Sequence, residues 1–191
     1  MPGGKTHDKI TYVTAFLWTV LFWLIGVFSL PARPQRVLGF MAFLGAYLFG
    51  GLFLSPDLDM EHTDPHHRWR RLGCGWLWMP YAYLVDHRSS WSHCPIRGCL
   101  LRLLTLLGAG VLFLGGVVGV LHYFGFYGDR DYWTAWGEAL EGLREALRQR
   151  PALLLFALLG LYLSGLVHIF ADVVATRWGA MGRGSRRRRP R

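Results

Sequence analysis

The sequence predicts an all-α polytopic membrane protein with four transmembrane helices, an interfacial segment in a long central loop, and an amphipathic helix on the opposite side. Composition is the first sign. The 191 residues are 52% hydrophobic and only 17% charged, a balance that belongs to the membrane class rather than to a soluble domain of this length. The second sign is uninterrupted apolar runs. Residues 12–30 and 37–54 contain no Asp, Glu, Lys, Arg or His, and each approaches the roughly 20 apolar residues that a bilayer core requires. Residues 103–121 and 152–171 repeat the pattern, with His168 the one interruption.

Lys5 and Lys9 ahead of the first run resemble the start of a secretory signal. No small-x-small cleavage pattern follows, and Pro31 to Arg36 leads straight into the second run, so the first span is read as retained. The loop from Ser55 to Leu100 carries Trp69, Trp76, Trp78, Tyr81, Tyr83 and Trp91, residue types that favour the lipid headgroup zone. Within it, 76–85 is too short to span and is interrupted by Pro80, which predicts an interfacial or re-entrant segment. Residues 131–149 place Trp133, Trp136, Leu140, Leu143 and Leu147 near helical spacing with charges between them, the pattern of an amphipathic helix. One membrane-embedded domain over 1–176 is expected, followed by a disordered polybasic tail over 177–191.

With four spans, both termini and the central loop share a side. Of the 21 Lys and Arg residues, only Arg33, Arg36, Arg130, Arg144, Arg148 and Arg150 fall on the other. The positive-inside bias therefore puts the termini and the loop in the cytoplasm. Topology also accounts for the formal charge of +9, so no nucleic-acid partner is expected; the tail is at most a lipid-surface patch. Cys74, Cys94 and Cys99 are odd in number and form no Cys-x-x-Cys pair, which argues against a disulfide framework and a thiolate zinc ribbon. The sequence lacks a phosphate loop, a Gly-x-Ser-x-Gly elbow and a His-Glu-x-x-His helix, so it points away from serine hydrolases and common zinc proteases.

Four polar clusters remain: Thr6-His7-Asp8 before the first span, Ser55 to Asp59 after the second, His87 to His93 before the third, and His168 with Asp172 ending the fourth. Lys and Arg alone set the topology, yet all four clusters fall at the cytoplasmic ends. His168 and Asp172 are four apart and share one helical face; ionisable groups there are costly unless partnered or functional, and an ion pair with Arg102 or Arg177 is the bland alternative. Asp57 and Asp59, two apart after Pro56, suit joint ligation in a loop and would diverge on a helix. His87 and His93, six apart, need a bend or a helix start to act together, with Ser89, Ser90 or Ser92 as a cap and Asp86 to orient an imidazole. His7 reaches the same face, and Asp8 is read as an outer contact or as solvated. The patch His62, His66 and His67 is expected in a solvated mobile loop, and His122 belongs to the opposite face.

Imidazole with carboxylate favours zinc among divalent metals, with manganese, iron and magnesium left open. The candidate ligands are His7, Asp57, Asp59, His87, His93, His168 and Asp172. A bound metal lowers the pKa of water and polarises a phosphoryl or carbonyl oxygen. Arg88 is then the residue to hold an anionic substrate group, and Asp57 or Asp59 the general base if not committed to metal.

At these residues the chain resembles a bacterial family of uncharacterised metal-binding membrane proteins. The resemblance is carried by Gly4 to Asp8, Ser55 to Asp59, Trp78 to Tyr81 and His87 to His93, and is extended by Pro95, Ile96, Gly98 and Arg102. That family is similar in turn to membrane-bound metal-dependent hydrolases and, more distantly, to the all-helical superfamily of zinc-dependent phospholipase C and single-strand nuclease. The resemblance implies a site in the bacterial inner membrane and hydrolysis of a phosphoester, with a phospholipid among the substrates it would cover. Two rivals stand beside that expectation: a non-catalytic or regulatory metal-binding protein, and a membrane scaffold without metal.

Overall fold

The computed structural model describes residues 4–29, 34–60, 62–86, 89, 91 and 94–186. All regular structure among them is helical. The helices are α1 (Gly4–Ser29), α2 (Pro34–Phe53), α3 (Asp64–Arg71), α4 (Met79–Leu84), α5 (Arg97–Tyr123), α6 (Tyr132–Gln149) and α7 (Pro151–Arg186), with 3₁₀ turns at Pro56–Asp59 and Gly75–Trp78. Helices α1, α2, α5 and α7 are long and apolar enough to cross a membrane.

These helices outrun the apolar stretches that announce them. No proline lies between Lys5 and Ser29, and an established helix propagates by one hydrogen bond per added residue. The polar residues Lys5 to Lys9 are therefore helical, and His7 sits in the first turns of α1 rather than in a preceding loop. At its other end α7 continues to Arg186, through most of the segment expected as a tail; 187–191 lie outside the described residues.

Helices α2 and α7 form the central pair, and two glycines let them approach. A methyl group on Gly160 would meet the carbonyl oxygen of Phe43 and lie 3.0 Å from the nitrogen of Tyr47; one on Gly50 would collide with Ser164. Helix α1 closes the triangle through Ala15, Phe43 and Tyr47, which are buried with Leu163 and Val167 packed beside them. The Tyr47 hydroxyl is 2.6 Å from Thr14 Oγ1 across α1 and α2.

The central loop departs most from expectation. Residues 64–71, read as part of a solvated loop, form α3: Thr63 is its N-cap and Pro65 lies in the first turn, where the missing N–H is no loss. Its inward face carries His66 and Trp69, both buried, while His62 and His67 are exposed. Charge crowding obscured this because the charges occupy one side only. Likewise Pro80 does not interrupt a segment but opens α4. Leu54, Leu58, Trp69, Trp78, Tyr81 and Val85 form a second core that caps the end of α2. Aromatics expected at the headgroup zone therefore divide: Trp69, Trp78 and Tyr81 point inward, and Trp76, Tyr83 and Trp91 are exposed.

Helix α6 matches its expected range. Asp131 caps it, accepting from the backbone N–H of Trp133 at 3.0 Å and of Thr134 at 3.1 Å. The helix rests on α5, where the Tyr132 hydroxyl donates to the carbonyl of Gly115 at 3.3 Å. Ala135 is buried, while Trp133, Leu143 and Leu147 stay exposed.

A candidate metal centre

Helix α1 brings His7, α7 brings His168 and Asp172, and the 3₁₀ turn after α2 brings Asp57. The two imidazoles are buried and stack with centroids 3.9 Å apart and planes inclined by 18°. His7 Nε2 is 3.2 Å from Asp172 Oδ1. His168 Nε2 faces both carboxylates, 3.4 Å from Asp57 Oδ2 and 3.7 Å from Asp172 Oδ2. On its far side, His168 Nδ1 is 3.3 Å from Ser55 Oγ.

The Ser55 contact serves either tautomer of His168. With the proton on Nδ1 donated to Ser55, the Nε2 lone pair points at two carboxylates, an arrangement that needs a proton or a cation between the partners. His168 Nε2 and His7 Nδ1 are also buried nitrogens without a hydrogen-bond partner, and leaving such atoms unsatisfied costs about 1–3 kcal/mol each. Donor atoms of His7, Asp57 and His168 lie within 4.8 Å of one another. Zinc takes nitrogen and oxygen at about 2.0–2.2 Å in tetrahedral geometry, so two ligands of one ion lie about 3.4 Å apart. Side-chain rotations that draw the donor atoms together by up to roughly 1.4 Å close that gap, and the residue types present fit a divalent metal.

Local structure explains which residues meet. His168 and Asp172 are one turn apart on α7, as their spacing predicts. Asp57 and Asp59 were expected to act together in a loop, but Pro56–Asp59 is a 3₁₀ turn. At about 120° per residue, side chains two apart diverge. Asp57 faces His168, whereas Asp59 is buried toward Tyr81 and Arg102. There burial pushes the Tyr81 phenol above its ordinary value; the Arg102 charge opposes this and the Asp59 charge adds to it. His87, His93 and Arg88 lie outside the described residues. The segment that carries them falls between α4 and α5, and α5 begins at Arg97 without a side-chain cap, so Ser89 is no N-cap; its hydroxyl accepts from the Trp91 backbone at 3.3 Å.

Two contributors escaped the sequence reading. Ser55 stood among the polar residues after the second span, but nothing local showed that it would meet His168 more than a hundred positions away. Arg68 was legible only as a charge, yet its guanidinium pairs with Asp8. Asp8 is thus paired and about three-quarters buried, with Arg68 rather than a candidate ligand as its partner. Among the described residues Cys74, Cys94 and Cys99 form no disulfide, and His122 is 2.8 Å from the Arg130 carbonyl, away from the centre.

The fold and the site together define an all-helical chain with four helices of membrane-crossing length and a mixed imidazole and carboxylate cluster at one end. Residues 2–182 match the family described as "Uncharacterized metal-binding protein (DUF2227)", and the chain belongs to that family. It is 32% identical over 130 residues to an "Uncharacterized protein" of Aquifex aeolicus (strain VF5), a match covering 68% of this chain and 86% of that relative. No solved structure matches it.

Proposed function

We propose that this chain is a membrane-embedded, metal-dependent hydrolase of the zinc type that acts on a phosphoester, with a phospholipid as the substrate its setting favours. One observation carries the metal: His168 Nε2, buried and without a hydrogen-bond partner, faces Asp57 and Asp172. His7, Asp57, His168 and Asp172 would hold the ion; Asp59, His87 and His93 are the further ligands that the sequence offers. Bound there, the metal supplies an acidified water and a Lewis acid for a phosphoryl oxygen. Whichever of Asp57 and Asp59 is not committed to the metal would take a proton from the attacking water, and Arg88 would hold the anionic group of the substrate. The catalytic step rests on the resemblance to metal-dependent hydrolases, the membrane setting on four apolar helices whose outward residues, Phe16, Phe113 and Leu155 among them, are exposed.

Orientation follows from the basic residues: an inner-membrane protein with both termini and the metal centre in the cytoplasm, its partners being lipids and an anionic substrate. The burial of His7 and His168 favours a second reading, a metal-binding protein without turnover, because buried ligands leave little room for an open position. A metal inventory of the purified chain separates both readings from a metal-free scaffold. The proposal expects bound divalent metal that is lost on His168→Ala; an empty chain, or metal retained by that variant, would remove the centre. Release of product from a phosphodiester, phosphomonoester or phospholipid by the loaded chain would then favour the hydrolase. Intact binding with no release across the panel would leave the non-catalytic reading.

A further inference from the structure

We propose that Arg68 is a positioning residue for the metal centre, which from α3 ties the start of α1 to the end of α2 and so sets His7 against Asp57. The inference rests on the reading of the centre given above. Arg68 Nη2 pairs with Asp8, and its Nη1 donates to the carbonyl of Leu52. Beside it, Trp69 Nε1 donates to the carbonyl of Phe53 at 2.8 Å. Those carbonyls belong to the last turn of α2, where a helix has no partners of its own, so α3 both caps α2 and reaches across to α1.

The two halves of the centre hang from the two ends that Arg68 joins. Asp57 lies on the 3₁₀ turn just beyond α2. His7 precedes Asp8 on α1, and neighbours on a helix point about 100° apart: His7 turns toward α7 and stacks on His168 while Asp8 turns toward Arg68. Burial alone would fix the depth and rotation of α1 poorly. Its residues Val13, Phe16, Leu17 and Leu24 are exposed, and in hydrocarbon an apolar helix face finds lipid as good a neighbour as another helix. Polar contacts must therefore set its register. Besides the Thr14 contact with Tyr47 and the approach of His7 to Asp172, the Arg68 fork is a connection at the level of His7, and it links α1 to the end of α2. The side chains of Arg68 and Asp8 are only 22% and 24% exposed, which spares the pair much of the screening that weakens surface ion pairs. Lysine cannot replace it, since one ammonium lacks the planar fork that serves a carboxylate and a carbonyl at once.

The full-length chain in detergent micelles, titrated with cobalt(II) as an optical probe, tests this. Arg68→Met is expected to bind cobalt about 10- to 100-fold more weakly, the usual loss when a group that orients a ligand is removed, with a changed visible spectrum as the His7 nitrogen leaves the ion. Arg68→Lys should fall between. In a His7→Ala background Arg68→Met should cost nothing further, because the two changes act through one ligand. A contact that only stabilised the fold would weaken binding equally in both backgrounds. Equal losses, or a wild-type affinity and spectrum in Arg68→Met, would overturn the proposal. Should Arg68→Met fail to fold, Asp8→Asn keeps the bond to Leu52 and must give the same affinity loss and the same non-additivity. A wild-type chain that takes up no cobalt overturns the centre itself, an outcome distinct from a wild-type chain that binds it and ignores Arg68.

Discussion

At the scale of single residues, the centre depends on how two aspartates two positions apart are shared out. Asp57 serves His168, and Asp59 serves the Arg102 and Tyr81 side of the same turn. Asp57→Asn should therefore weaken metal binding by more than Asp59→Asn, while Asp59→Asn should lower the thermal midpoint more, since it leaves Arg102 buried beside fewer negative charges. Isothermal titration and thermal unfolding in the same detergent would compare them, and the reverse ranking would put Asp59 on the metal. Ser55 offers a cleaner case, because it touches His168 on the nitrogen that faces away from the carboxylates. Ser55→Ala should weaken metal binding about 10- to 100-fold with every ligand kept, read by competition with a chelator; an unchanged affinity would deny it that role. Of the five anticipated ligands among the described residues, four converge. The sequence could nominate them because each is an ionisable group at or near the end of an apolar run, where such groups are costly without a purpose. It could not separate Asp57 from Asp59, since that depends on whether four residues wind as 3₁₀ or run extended.

At the scale of elements, the long helices and α6 were legible, because apolar length and helical periodicity are local properties of the chain. Helix α3 was not. Its high charge describes its outer side, while its inner side buries His66 and packs Trp69 into the loop core. The pairing of α2 with α7 was equally hidden, although glycines mark it. Gly160→Val should lower stability by about 1–3 kcal/mol or more, the cost of overpacking, because the clash is with the Phe43 backbone, which cannot rotate away. A thermal midpoint equal to that of the wild type would show that the two helices are not this close. Helix α6 carries its own pH signature. Hydrogen bonds from Thr134 hold the Asp131 carboxyl below its ordinary value. A depressed folded-state pKa means that the cap's contribution is complete above the unfolded value, near ~3.9, and fades as pH falls through the folded one. Protection of the Trp133 and Thr134 amides against exchange, taken relative to the intrinsic rate at each pH, should thus fall on acidification below about pH 4, and not in Asp131→Asn, which keeps an acceptor but has nothing to titrate.

At the scale of the whole molecule, the ligands gather because helix ends gather. His7 begins α1, Asp57 follows α2 and Asp172 lies in the C-terminal half of α7, so α1 running away from that end and the parallel helices α2 and α7 running toward it bring all three together. Reporter fusions after residue 60 and in the tail should both report cytoplasm, and one within α6 the far side. A fusion after residue 60 that reports the far side would reverse the orientation and move the centre with it.

The sequence by itself determined the helical class, the four apolar spans, the amphipathic helix and the set of ionisable residues from which a metal centre is drawn. Each of these follows from composition and periodicity within a short window. Tertiary structure alone decided that His7 stacks on His168, that Ser55 meets His168 and Arg68 pairs with Asp8, that Asp59 turns away from Asp57, and that a charged loop segment is a packed helix. These depend on contacts between residues far apart in the chain, which sequence spacing does not encode and which helix packing supplies.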